Sequence, residues 1–257
     1  MPRTPSPAKK VNQLIERLAQ LATAPALDEF SLQRIDRDAN ALMKSDPAGA
    51  HTVLGGVAAL RGDRDETRKR YRTALQIESA FATLFNHSFS LSLLDEHEEA
   101  LKVAVEALKA YPDDLTLLNR AIKAALESAN FEIARDLSSR WDAVSPDRSN
   151  PLSGMARQLA DAVAGGMFSE KGVREVLCLL TETQRGENVR TSNSRFNSQY
   201  GEESFFYERM IRTTPESAAA LNERFADQIV ERSDLMADPG LKFVGAFIAD
   251  TSNGSYA

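Results

Sequence analysis

Residues 95–112 read DEHEEALKVAVEALKAYP. Within this stretch Ala100, Ala104, Ala107 and Leu108 recur at helical spacing, and Pro112 follows them. The pattern predicts an amphipathic helix with small side chains on one side, which ends before the proline. Because small side chains let a second helix approach closely, we expect this helix to pack against other helices.

The same pattern recurs along the chain. Thirty-four residues later, Ala134 and Pro146 occupy the positions of Ala100 and Pro112. About 33 residues earlier, the aromatic, Ala-Leu, Leu-Gly and turn positions are taken by Tyr71, Ala74, Leu75, Leu54, Gly55 and Gly62. A fixed period of this length is typical of helical repeat proteins.

The period predicts three pairs of antiparallel helices: about 48–61 with 64–78, 82–94 with 97–110, and 114–128 with 131–144. Over roughly 45–147 they resemble tetratricopeptide repeats (TPR). The third pair departs from the motif because Trp141 replaces a small residue and Asn130 takes the turn position that Gly62 holds in the first pair. Asn tolerates a left-handed turn better than most residues, so the turn is expected to survive.

Further amphipathic segments flank these pairs. Residues 11–23 and 30–44, the latter with Phe30 among its apolar residues, form a pair without the motif, and 152–164 predicts one more helix. Both would cap the repeat array, since an end repeat exposes its apolar face. We therefore predict a disordered tail over 1–10 and a TPR-like helical solenoid over 11–165.

Strand patterns enter only in the last part of the chain, 167–257, for which we predict an α+β domain. A helix over 169–183 with Ser169 as N-cap precedes a hairpin of strands 189–197 and 204–212. On the second strand Phe205, Tyr207 and Ile211 share one face. Thr214 caps a helix that runs to about Arg232. The apolar run 241–249 predicts a strand at a central sheet position.

The predicted fold class is therefore mostly α: a TPR-like α-solenoid followed by a small α+β domain of order α-β-β-α-β.

The charge balance argues against broad nucleic-acid binding. The net charge is −6, with 20 basic and 22 acidic residues in 1–150 and 10 basic and 14 acidic residues in 166–257. The longest uncharged run, 79–94, is too short for a membrane span, and no apolar signal-peptide core follows the first residues. We predict a cytoplasmic protein without membrane contact, whose single cysteine, Cys178, packs as a small hydrophobe.

The TPR resemblance implies that the first helix of each pair lines a concave surface. Carried onto this sequence, it implies a peptide-binding groove that exposes Phe85, Asn86, Phe89, Asn119, Arg120 and Lys123. The first pair contributes only Thr52, Gly56 and Ala59 there. Apolar rings beside amide and cationic donors suit an extended or helical peptide. The alternative is that Phe85 and Phe89 are covered by the protein's own carboxy-terminal domain.

Catalytic patterns are weak. His51, His87 and His97 are expected to have packing or surface roles, and no cofactor or metal is predicted. A hydrolase built on Glu203, Glu208 and Asp250 stays open beside their role as solvated charges.

Two basic patterns have competing explanations. The run 68–72 is expected to be a solvated face that preceding acidic residues compensate, and Arg190 and Arg195 on a predicted strand give a weak RNA-binding pattern. The predicted function is a non-catalytic adaptor that binds a protein or peptide in the groove. The alternative is a regulatory or effector protein whose carboxy-terminal domain binds a small ligand or nucleic acid.

Overall fold

The structure is a computed structural model, which describes residues 6–24, 26–185, 187, 189–199, 204–232, 235 and 242–250. The chain forms two compact units, Met1–Ala124 and Ala125–Ala257. The predicted division between 165 and 167 differs from this one and stays a prediction. Within the described residues ten helices precede the first strand, so the protein is a helical repeat followed by a small α+β part.

The helices of the first unit match the predicted pairs closely. They are α1 (Pro7–Thr23), α2 (Glu29–Leu42), α3 (Pro47–Leu60), α4 (Arg64–Ile77), α5 (Phe81–Leu93), α6 (His97–Ala110) and α7 (Leu115–Glu127), which continues into the second unit. The helices within each pair are neighbours, and the first helices of successive pairs, α1, α3 and α5, also contact one another in order. This is the arrangement of a helical repeat.

The two ends of the first helix pair differ in detail from the prediction. Because α1 begins at Pro7, it includes four residues of the segment predicted as a tail, and residues 1–5 lie outside the described ones. Phe30 was expected on the apolar side of α2, but it is 69% exposed, with the Arg34 guanidinium 5.9 Å from its ring centroid. It is the second residue of α2, where the first turn still lies outside the packed stripe.

The turns that end the first helix of each predicted TPR-like pair share the same backbone geometry. Gly62, Asp95 and Ala129 have positive φ angles of 78°, 59° and 50°. In each case the N–H of the next residue donates to a carbonyl five residues back, from Asp63 to Ala58 for example, which is the Schellman motif. The prediction that Asn130 takes the left-handed position was wrong by one residue, since its φ is −111°.

The second unit contains the remaining elements. They are α8 (Phe131–Val144), α9 (Ser153–Ala164), α10 (Glu170–Arg185), β1 (Thr191–Gln199), β2 (Ser204–Ile211), α11 (Pro215–Glu231) and β3 (Phe243–Ala249). Ser169 and Thr214 cap α10 and α11, as predicted, by accepting the N–H of Gly172 at 3.0 Å and of Ser217 at 3.2 Å. The predicted order α-β-β-α-β is confirmed.

The prediction that residues 241–249 form a central strand was wrong. The sheet has the order β1-β2-β3, with β1 antiparallel and β3 parallel to β2, so β2 is central. Asn222 of α11 explains how β3 ends the sheet. Its amide donates to the carbonyl of Phe247 at 2.9 Å and accepts the N–H of Phe247 at 2.8 Å, taking backbone groups that a further strand would use.

Aromatic rings join α8 and the α9–α10 connection to the inner face of this sheet. Phe131, which is fully buried, lies edge-on to Phe168 and Phe196, with ring centroids 6.3 Å apart in both cases. Phe168 in turn contacts Phe205 and Phe243 at 5.5 and 5.8 Å. This cluster explains why α8, predicted as the last repeat helix, belongs to the second compact unit.

Cys178 was predicted to pack as a small hydrophobe, but it is exposed. Its neighbours Leu177 and Leu179 are among the buried residues of α10. Partial burial, assisted by Glu182, raises the pKa of the Cys178 thiol. The thiol is therefore protonated at neutral pH.

None of the described helices combines the length and the apolar character that crossing a membrane requires.

Two adjacent glycines of α3 give a matched stability test. A Cβ at Gly55 would lie 2.6 Å from the buried Tyr71 ring, whereas the only close contact of a Cβ at Gly56 would be with the end of the Leu18 side chain, at 2.8 Å. We expect Gly55→Ala to lower the free energy of unfolding by about 1 kcal/mol, because overpacking outweighs the gain in helix propensity. Gly56→Ala is expected to raise it by about 0.5 kcal/mol. Urea denaturation followed by helical circular dichroism checks both, and equal effects would contradict the packing assigned to Gly55.

Candidate functional site

A groove within the first unit is the candidate site. It has a volume of about 200 Å³ and lies between α1, α3 and α5, the first helices of successive pairs. Its lining is mostly apolar and is made by Ile15, Leu18, Ala19, Ala22, Thr52, Gly56, Leu60, Tyr71, Phe85, Asn86, Phe89, Ser90 and Leu93.

Hydroxyl groups on the floor of the groove are hydrogen-bonded to one another. The Tyr71 hydroxyl lies 2.8 Å from Ser90 Oγ, and Thr52 Oγ1 lies 3.0 Å from Thr83 Oγ1 and donates to the Ala48 carbonyl. Burial raises the pKa of Tyr71, so its hydroxyl stays neutral. These pairs satisfy hydroxyl groups that would otherwise be costly to bury. The floor therefore needs few hydrogen bonds from a ligand.

The groove gathers three of the six residues that the TPR resemblance implied. Phe85, Asn86 and Phe89 lie on one side of α5, are half-buried, and line the groove together. The amide nitrogen of Asn86 donates to the Ala82 carbonyl at 2.7 Å, and no described residue donates to its Oδ1. That oxygen can accept a hydrogen bond from a ligand.

The three implied residues of α7 do not line this groove. Arg120 is buried, its Nε donates to Ser88 Oγ at 3.2 Å, its Nη2 donates to Ser92 Oγ, and its guanidinium lies 5.8 Å from the Phe89 ring centroid. It therefore supports the groove wall behind Phe89. Asn119 is exposed and Lys123 is half-buried, both elsewhere on α7. Thr52 and Gly56 do line the groove, whereas Ala59 is buried outside it.

His87 lies on α5 beside the groove floor. Its ring stacks on Tyr71 with centroids 4.7 Å apart, and neither ring nitrogen has a hydrogen-bond partner among the described residues. Burial lowers the pKa of His87 to about 4, against a raising effect of Glu99 and with a smaller lowering effect of Arg68. This histidine is neutral and packs in the core at physiological pH.

The other two histidines lie away from the groove lining. His51 Nδ1 is 3.3 Å from Arg70 Nη1, and burial and then the Arg70 charge lower the pKa of His51. His97 Nε2 is 3.6 Å from the Asp95 carboxylate. In the described part of the chain no three histidine, cysteine or acidic side chains are grouped to hold a metal ion.

The basic run on α4 is compensated by acidic side chains. Arg70 and Lys69 pair with Glu66 at 2.6 and 3.3 Å, which confirms the expected spacing along the helix. Arg68 pairs with Glu96 and Glu99, which lie at the start of the next pair's second helix. These pairs offset part of the positive charge of the run.

The carboxylates considered for hydrolysis are not gathered into one described site. Glu208 on β2 pairs with Arg195 across the hairpin, and Asp250 follows the end of β3. Glu203 lies outside the described residues. The ion pair also involves Arg195, one of the two arginines of the RNA-binding pattern.

One buried arginine, Arg209, was not predicted to have a structural role. Arg209 is on the inner face of β2, is 1% exposed, and donates to Gln184 Oε1 at 3.1 Å and to Thr181 Oγ1 at 3.0 Å. The alternation that assigned Tyr207 and Ile211 to this face also includes Arg209.

Comparison of the chain with protein-family models, with curated proteins and with solved structures found no match to any of them.

Proposed function

We propose that the protein is a non-catalytic adaptor whose TPR-like first unit binds a protein or peptide in the groove between α1, α3 and α5. The observation that carries this proposal is the groove itself, in which Phe85 and Phe89 lie half-buried beside a small-residue floor at Gly56. Large rings at the edge of an apolar groove are typical anchors of peptide recognition.

The lining also indicates what kind of segment the groove accepts. The floor hydroxyls of Tyr71 and Thr52 are already paired, so the binding free energy comes from apolar burial. The Asn86 Oδ1 offers one acceptor for a backbone N–H. A segment with apolar side chains and a backbone donor near them satisfies both features.

Removing both rings of the groove tests the proposed binding site. We expect Phe85→Ala/Phe89→Ala to weaken partner binding at least tenfold, because the anchoring surface is lost. Phe30→Ala is the matched control, since Phe30 is a more exposed ring outside the groove lining. The full chain and both variants are compared by affinity capture from native lysate, the captured proteins are identified, and Kd is measured with the purified partner.

Circular dichroism shows whether the double variant keeps its helices. A folded double variant that captures everything the wild type captures contradicts the groove proposal.

A specific observation favours the alternative, a carboxy-terminal unit that binds a small ligand. A largely apolar cavity of about 400 Å³ lies between α10, α11 and β3, lined by residues that include Val176, Asn222, Phe225, Ile229 and Phe243. This volume suits a small apolar molecule. The alternative predicts that the double groove variant retains the wild type's ligands.

A further inference from the structure

Two arginines face each other at one end of the β1–β2 hairpin. The N–H of Arg212 donates to the carbonyl of Arg190 at 3.0 Å, one residue beyond the Thr191–Ile211 pair of the ladder. Directly opposed residues on antiparallel strands have Cβ atoms about 5 Å apart, and like charges in such a pair are destabilising. The hairpin therefore carries a repulsion at this end.

The Arg190 guanidinium has no compensating group among the residues that the structure describes. It is half-buried, its Nη1 is fully buried, and it hydrogen-bonds to none of the described residues. Burial and then the charge of Arg212 lower the pKa of Arg190. Glu187, the acidic residue nearest to it in the described sequence, pairs instead with Arg224 at 2.8 Å.

Other arginines of the same hairpin show how a partner is normally supplied. Arg195 stands opposite Glu208 in the register and pairs with it. Arg209 is fully buried but donates to two side chains of α10. Since burying a guanidinium nitrogen without an acceptor is costly, Arg190, whose Nη1 is fully buried, is the exception that indicates a missing anion.

The position in the fold also favours an anion. Arg212 follows the carboxyl end of β2, in the connection that leads into α11 at Pro215, and β3 after α11 lies parallel to β2. In such β-α-β units ligands bind at the carboxyl ends of the strands, near the positive end of the helix dipole. Asp250 also reaches this end, where its N–H donates to the Ile211 carbonyl at 2.8 Å on the edge of β2 that faces β3.

We propose that Arg190 and Arg212 bind the phosphoryl group of a small soluble ligand. A phosphate monoester carries nearly two negative charges at pH 7 and accepts hydrogen bonds from both guanidinium groups, so it matches the two opposed positive charges. A polyanion such as RNA fits poorly, because residues 166–257 contain 10 basic against 14 acidic residues. This site lies in the second unit and does not depend on the peptide groove.

Inorganic phosphate is the probe for this site. The Tm of the full chain is followed by the fluorescence of Trp141, the single tryptophan, which belongs to the second unit. Sodium phosphate replaces sodium chloride at constant ionic strength. We expect Tm to rise with phosphate, by about 5 °C at a hundredfold excess over Kd. Arg190→Gln and Arg212→Gln lose this rise, and Arg195→Gln, whose arginine is already paired with Glu208, keeps it.

A second readout separates a site from general stabilisation. Without phosphate, Arg190→Gln is expected to raise Tm by about 1–3 °C, since it removes the unpartnered, repelled charge. A fall in Tm for that variant in the absence of phosphate, or a phosphate-induced rise of equal size in the wild type and all the variants, would overturn the proposal. The proposal would also be overturned if the protein sediments with anionic phospholipid vesicles while its Tm does not respond to phosphate.

Discussion

Arg209→Ala is expected to lower the free energy of unfolding of the second unit by about 3 kcal/mol. The substitution removes a long buried side chain and leaves Thr181 Oγ1 and Gln184 Oε1 each without one donor. Gln184 keeps its bonds with Thr191, so the loss is smaller than for a completely isolated polar group. The effect is large because Arg209 connects α10 to the central strand.

Two matched variants separate the contributions at this position. Arg209→Met retains most of the buried volume but donates no hydrogen bond, and we expect it to lose about 1–2 kcal/mol. Arg209→Lys keeps the charge but replaces the planar guanidinium, whose two nitrogens reach the two acceptors, by a single ammonium on a shorter side chain, so it is expected to lie between wild type and Ala. Urea denaturation followed by Trp141 fluorescence measures all three. If Arg209→Met is as stable as the wild type, the hydrogen bonds contribute nothing net.

Arg209 also shows which structural features a sequence pattern cannot predict. The period of two residues that places Tyr207 on the inner face of β2 places Arg209 there as well. Its acceptors, however, are on α10, more than 20 residues earlier in the chain. Sequence periodicity gives the direction of a side chain, but not which groups from another element meet it.

The helical repeat was predictable because its signals are local and recur. The small residues, the prolines and the turn at Gly62 repeat every 33 or 34 residues, and the left-handed turns at Asp95 and Ala129 follow the same period. At the third turn the residue type was misleading. Asn adopts a left-handed conformation more readily than Ala, yet Ala129 has the positive φ and Asn130 does not. The Schellman bonds that end the helix fix the turn one residue earlier than composition suggests.

The site was predictable only in part for a related reason. Phe85, Asn86 and Phe89 are spaced along one face of α5, so their common exposure follows from helix geometry. Arg120 also lies on a first helix, but Ser88 and Ser92 of α5 offer it acceptors and draw its guanidinium behind Phe89. That choice between solvent and a neighbouring helix depends on packing that spacing alone does not contain.

The first unit is expected to lose about 2 kcal/mol of unfolding free energy between pH 7 and pH 5 through His87. Its pKa is about 4 when folded and 6.5 when unfolded, so the unfolded chain binds more protons in this window. The contribution of His87 to the free energy of unfolding is therefore fully present above pH 6.5 and is lost as the pH drops towards 4. The cause is the burial of an imidazole whose two nitrogens have no partner among the described residues.

His87→Phe is the matched variant, because a phenyl ring can keep the stack on Tyr71 but does not titrate. Urea denaturation by helical circular dichroism at pH 7, 6 and 5 should show a much flatter dependence for this variant. Some slope is expected to remain from His51, whose pKa is also lowered. Carboxylates with lowered pKa values, such as Glu66, lose their contribution only near and below their unfolded pKa of 4.5, so they do not account for the change above pH 5.

Equal losses in wild type and His87→Phe would place the pH dependence elsewhere. If the expected difference is found, the same histidine sets a lower pH limit for the groove, because α5 carries both His87 in the core and Phe85 and Phe89 at the surface. Protonating the buried imidazole weakens the packing of the helix that presents the two rings. Groove binding should then decline in the same pH window as stability, with Phe85 and Phe89 unchanged.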